Sequence, residues 1–206
     1  MTTPRSALLA AAALLLIGGC GVSPPSAFYT LDEAGFEYTQ DADSAAILGI
    51  GPIRVPEYLE RPQIVTRGKG SELNIDDFNR WGEPIVDAQH RIIASNVDAL
   101  LDDVIVVAFP YGAVTDYDAK LVGRIDRFDM DVTGTTRLDI FWAVARADNE
   151  LLVKPRRSLF TVTGGEPADP NSVAAAMSDC LAQFSREIAD AIDRVRGGVD
   201  SPVSSK

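Results

Sequence analysis

Four sets of residues have types and spacing that could do chemistry: Cys20 behind Gly18-Gly19, the single histidine His90, the carboxylates Asp126, Asp129 and Asp131, and the stretch Gly68-Lys69-Gly70-Ser71. A histidine can act as a general base or a metal ligand. His90 has no cysteine partner nearby and falls at the margin of an apolar helical stripe beside Ile93, Ala94 and Val97, so a structural role is expected. The three aspartates could form an acid pair or a calcium site, but they alternate with Phe128, Met130 and Val132 and read as the solvent-facing positions of a strand. Gly68 to Ser71 lacks the GxxxxGK[ST] spacing of a phosphate loop and opens no helix, which leaves a hairpin turn. HExxH, GxSxG and metal-spaced Cys/His patterns are absent from the sequence. The expectation is a protein with no catalytic residues, no metal and no cofactor, not an enzyme.

Cys20 is different. Arg5 precedes an uncharged run from Ala7 to Ile17 made of Ala, Leu and Ile, the order of a secretory signal. As a helix the run spans about 16 Å, roughly half the hydrocarbon thickness of a bilayer, and is too short to anchor the chain by itself. Ile17-Gly18-Gly19-Cys20 resembles the bacterial lipobox, with Gly where Ala or Ser is the commoner second residue. The resemblance implies a signal peptide over residues 1–19, a diacylglyceryl thioether on Cys20, and an acylated, palmitate-type N-terminus after cleavage. Several acyl chains hold a protein on a membrane where one does not. Cys180 is then the one remaining cysteine, so no intrachain disulfide forms. Its spacing with Met177, Phe184 and Ile188 places it in a core.

The elements that must position these residues follow from periodicity. Pro84 to Leu101 reads as a helix with Ile85, Val86, Ile92, Ile93, Val97 and Leu100 on one face. Asp169-Pro170 reads as an N-cap and first helical residue. The helix it starts carries Val173, Met177, Leu181, Phe184, Ile188, Ile192 and Val195 inward, and Gly197-Gly198 are expected to end it. Strands are expected at Ile47–Val55, Gln63–Arg67, Glu72–Ile75, Val104–Phe109, Leu121–Val132, Leu138–Val144 and Leu159–Val162. The Val104 run suits a strand buried on both faces or in the sheet centre, and a phase change near Asp126-Arg127 marks a bulge. Two helices can cover one sheet face, so the fold class is α+β: a single domain with a mixed or mainly antiparallel sheet and both helices on one face. The organisation is signal peptide 1–19, lipidated tether 20–27, folded domain 28–196 and flexible tail 197–206.

Charge narrows the partners. Removing residues 1–19, which carry one basic and no acidic residue, leaves 18 basic against 30 acidic residues, a net charge near −12. Such a chain is repelled by nucleic-acid phosphates and by anionic headgroups, so membrane attachment must come from the lipid anchor.

The stretches "IGPIRVPEYLERPQIVTR" (Ile50 to Arg67), "FNRWGEPI" (Phe78 to Ile85) and "FYTL" (Phe28 to Leu31) resemble the PqiC/YmbA family, the ABC-type transport auxiliary lipoproteins of Gram-negative bacteria. The resemblance covers nearly the whole mature chain. It implies a non-catalytic periplasmic lipoprotein held in the inner leaflet of the outer membrane. There it serves lipid transport with an MCE-domain protein and that protein's inner-membrane partner. Gly21, where an Asp would be similar to an inner-membrane retention signal, agrees with that location. Tyr58, Leu59, Arg61 and Trp81 are the candidate partner-binding residues, since Tyr, Trp and Arg dominate interface energetics; the alternative is that these side chains pack locally. An interaction lipoprotein outside transport, such as an activator of a cell-wall enzyme, is the competing function. A homo-oligomer is compatible with either.

Overall fold

The computed structural model describes residues 25–37, 46–112 and 116–199. The expected signal peptide, Cys20, the expected tether as far as residue 24 and residues 200–206 lie outside the described residues. The strands are β1 (Ala27–Tyr29), β2 (Ala46–Arg54), β3 (Gln63–Arg67), β4 (Leu73–Trp81), β5 (Val104–Ala108), β6 (Ala119–Met130), β7 (Thr136–Arg146) and β8 (Leu151–Val162). The helices are α1 (Ile85–Asp98) and α2 (Pro170–Val199), and a 3-10 turn spans Glu57–Leu59.

The fold is α+β with mixed sheets. A five-stranded sheet has the order β5-β2-β6-β7-β8, and a three-stranded sheet the order β1-β4-β3. β2 runs parallel to both β5 and β6, whereas β6, β7 and β8 form an antiparallel meander. β1 lies parallel to β4, and β3 and β4 form the hairpin expected around Gly68 to Ser71. β4 and β8 are longer than their apolar alternation indicates, because ladder pairing carries them through polar residues.

Both helices pack on the five-stranded sheet, α1 over β2 and β5 and α2 over β6, β7 and β8. Asp169 caps α2 as expected: its Oδ1 accepts the Asn171 N–H at 3.0 Å and its carbonyl accepts the Val173 N–H. Gly197-Gly198 do not end the helix, which runs to Val199. Each glycine costs a helix about 1 kcal/mol. The end is held by Arg196, in the last turn, whose Nη1 donates to the Asp102 carbonyl at 2.9 Å. Between helices and sheet lie Trp142, Phe184, Phe128, Leu121, Ile140 and Ile93, all fully buried. Trp142 meets the edge of Phe184 and donates its indole N–H to Ser158 at 3.0 Å. Cys180 sits in this core, and burial followed by the nearby Asp179 charge pushes its thiol up to about 12, consistent with an inert side chain.

Two strand expectations need correction. β5 is an edge strand, not a central one: it pairs with β2 alone and is mostly half-buried under α1. The central position belongs to β6; β2, between β5 and β6, accommodates Gly51-Pro52 through a register shift between Ile50 and Ile53 in its pairing with β6. The shift expected at Asp126-Arg127 is present between Ile125 and Arg127.

Candidate functional site

After β2 the chain leaves the five-stranded sheet through Val55-Pro56 and the 3-10 turn, and enters the second sheet at Gln63. Tyr58, Leu59 and Arg61 sit on this crossing, Trp81 ends β4, and the four divide. Leu59 and Trp81 are core residues, 3% and 6% exposed. Trp81 is register-paired with Tyr29, and its N–H donates to the Pro62 carbonyl at 2.7 Å. Trp81 nevertheless forms part of the wall of an open cleft of about 630 Å³, with Arg61, Pro62, Pro84, Ile85 and Val86 and with Glu60 and Glu83 at its margin. Arg61 is half-buried there, and its Nε has no hydrogen-bond partner. A guanidinium beside an apolar wall suits a ligand group that combines an acceptor with apolar surface. The fold brings Arg61 and Trp81 together. It does not bring Tyr58 or Leu59 to the cleft.

Tyr58 belongs to a second cluster that sequence reasoning missed. Asp129, expected on the solvent face of β6, is fully buried. Its carboxylate accepts the Tyr58 hydroxyl at 2.8 Å, Arg67 Nη2 at 2.8 Å and Nε at 3.2 Å, and Arg127 Nε at 2.8 Å. Arg67 also lies over the Tyr58 ring. Burial alone would raise the Asp129 carboxyl, but the hydrogen bonds from Arg67, Tyr58 and Arg127 outweigh it and hold the group below its ordinary value. Burial first, and then the Asp129 charge, push the Tyr58 phenol up to about 12. The carboxylate's acceptor positions are filled, so the cluster is a clamp joining the 3-10 turn and β3 to β6, not an acid catalyst. Asp129 does lie on the face of β6 turned from the helices, as its alternation indicates, but Tyr58 and Arg67 from distant chain cover it there.

His90 is likewise buried, 1% exposed, and not at a margin. Its Nε2 accepts the Ile53 N–H at 2.8 Å while Gln89 Nε2 donates to the Ile53 carbonyl at 3.1 Å, so consecutive α1 residues hold both backbone polar groups of Ile53 in β2. Nε2 must stay unprotonated to accept, and burial holds the imidazole below its ordinary value of 6.5 despite the Asp87 charge. The unfolded chain therefore binds the proton first. This contribution to stability is complete above about pH 6.5 and falls as pH drops below it. In His90→Gln an amide oxygen replaces Nε2 and does not titrate. Urea unfolding at pH 7.5 and 5.0 should show a loss in the wild type that is smaller in the variant; equal losses would count against the assignment.

Among the described residues no group of three or more His, Cys, Asp and Glu is placed to hold a metal ion, and no helix is long and apolar enough to cross a membrane. Two solved structures share the fold. One is an uncharacterized protein with 18% identity, a TM-score of 0.67, and coverage of 82% of this chain and 99% of its own. The other, from Xanthomonas campestris and assigned to DUF330, has 18% identity, a TM-score of 0.58, and coverage of 88% and 99%. Curated proteins give no match. The family model described as "ABC-type transport auxiliary lipoprotein component" matches residues 29–189, from the end of β1 to the middle of α2. With that span covering the clamp, the cleft and both helices, the chain belongs to the ABC-type transport auxiliary lipoprotein family.

Proposed function

We propose that this protein is the outer-membrane-anchored, periplasm-facing accessory subunit of an MCE/ABC-type intermembrane lipid transport system and is not an enzyme. The family match over residues 29–189 carries this reading. The signal and lipobox ending at Cys20 supply the anchor. The cleft at Arg61 and Trp81 is the contact point for the MCE-domain protein, which in turn meets its inner-membrane partner. Leu59 supports this region from the core, and Tyr58 fixes the loop through Asp129.

The anchor is tested by Cys20→Ser, which should remove fatty-acid labelling and release the protein from the outer-membrane fraction. Equal labelling of variant and wild type would exclude lipidation at this residue. For the partner, affinity purification from detergent-solubilised envelopes should recover an MCE-domain protein. Arg61→Glu should reduce that recovery about fivefold or more, with a melting temperature within about 2 °C of wild type. Recovery of a cell-wall synthase in place of an MCE-domain protein would favour the activator reading.

A further inference from the structure

The face of the five-stranded sheet turned away from the helices carries a transverse row of four residues on adjacent strands. Arg54 of β2 is paired with Arg124 of β6, Arg124 with Phe141 of β7, and Phe141 with Arg157 of β8. Arg124 and Arg157 are more than 60% exposed and Phe141 is 43% exposed. Beside the row, Pro52, Val122, Ala143, Leu151 and Pro155 line a shallow apolar groove of about 500 Å³. Leu159, 58% exposed, follows Arg157 two positions along β8.

The charges here run against the rest of the chain. With 30 acidic and 19 basic residues overall, two arginines nonetheless stand directly opposite each other on neighbouring strands, an arrangement that weakens a sheet. Arg124 bonds Asp126 at 2.7 Å and Arg157 bonds Asp139. Among the described residues Arg54 has no carboxylate partner. The Arg124–Asp126 pair is exposed and contributes roughly 0–1 kcal/mol, so a competing carboxylate can replace Asp126 at little cost. Arg157 keeps its two-pronged bond to the largely buried Asp139 and offers a partner its remaining donors.

We propose that this row is a docking site for an acidic amphipathic helix of a partner protein. Adjacent strands lie about 4.8 Å apart, so Arg124 and Arg157 are separated by roughly 10 Å. In a helix, residues i and i+7 are about 10.5 Å apart. Acidic residues at i and i+7 meet the two arginines, and apolar residues at i+3 and i+4 cover Phe141. Arg54 receives a further carboxylate one strand beyond. A second copy of this chain is a poor occupant, because a two-fold contact sets the arginine row against itself. An anionic bilayer is also poor, since it meets the whole protein's net negative charge and not the row alone. The site is separate from the Arg61–Trp81 cleft and does not depend on the transport reading.

The test uses the full lipidated chain in nonionic detergent. The probe is a fluorescent synthetic helical peptide of roughly 20 residues carrying Glu at i and i+7 and Leu at i+3 and i+4. Anisotropy should show binding that weakens with salt. Arg124→Glu combined with Arg157→Glu should weaken it about tenfold or more, and a peptide with Lys in place of Glu should prefer that variant. Arg54→Glu, which removes no side-chain hydrogen bond or ion pair among the described residues, should weaken binding in the same direction and serves where the double variant melts early. Three results would each overturn the proposal: equal binding by wild type and both variants; equally tight, arginine-dependent binding of phosphatidylglycerol vesicles; or arginine-dependent self-association in sedimentation.

Discussion

Asp129→Ala should destabilise the protein by about 3–5 kcal/mol, the range for removing one member of a buried charged network. The substitution leaves Arg67, Arg127 and Tyr58 facing a void where a fully buried carboxylate accepted all their hydrogen bonds. For a chain of this size the loss lowers the melting temperature by roughly 6–20 °C. Asp126→Ala is the control. That carboxylate bonds the exposed Arg124, two residues away, and its removal should change stability by no more than about 0.5 kcal/mol. The native Asp129 carboxyl lies below its ordinary value of 3.8, so the unfolded chain takes up the proton first as acid is added. The clamp's contribution is complete above about pH 4 and is lost as pH falls through the native value; Asp129→Ala lacks that part of the acid transition. Thermal melts followed by circular dichroism at neutral and acid pH read both effects. A loss below about 1 kcal/mol for Asp129→Ala would mean the clamp does not join the two sheets.

The contrast between Asp126 and Asp129 shows where a sequence stops being legible. Local signals survived: the Asp169-Pro170 start of α2, the hairpin at Gly68 to Ser71 and the bulge after Ile125 each depend on neighbouring residues. What failed depends on distant chain. Asp129 is buried because Tyr58, 71 positions away, and Arg67, 62 positions away, fold over it. His90 is buried because a β2 peptide needs its Nε2, and no helical periodicity reports an N–H from another element. The same limit governs the candidate site. Arg61 and Trp81 were legible as residues of interface type, but their meeting in one cleft follows from the Trp81 N–H bonding the Pro62 carbonyl across β4 and the start of β3. Tyr58 could not be separated from them in sequence, since its phenol is claimed by a carboxylate whose burial the sequence concealed. The fold therefore puts Leu59 and Trp81 in the core, ties Tyr58 to Asp129 and leaves Arg61 beside Trp81 at the cleft.

Gly51→Ala should be the second large effect, at about 2–4 kcal/mol, although it adds a single methyl group. Gly51 has φ of +110°, a conformation that side-chain-bearing residues rarely adopt. An added Cβ would lie 2.7 Å from the Phe109 Cβ and 2.9 Å from His90 Nε2. The Phe109 contact cannot be relieved by a rotamer change, because a Cβ moves only with its backbone, and Phe109 is tied to β2 by its N–H bond to the Ile50 carbonyl at 2.8 Å. The His90 contact disturbs the imidazole that accepts the Ile53 N–H. Gly70→Ala in the β3–β4 turn is the reference. There φ is +66° and nothing lies within 4 Å of an added Cβ, so strain alone should cost about 1–2 kcal/mol. If Gly51→Ala costs more than Gly70→Ala in urea unfolding, the excess combines the greater strain of φ +110° with the crowding of Phe109 and His90 on β2. Equal costs would show that this junction yields, and that Ile53 is not held rigidly between Gln89 and His90.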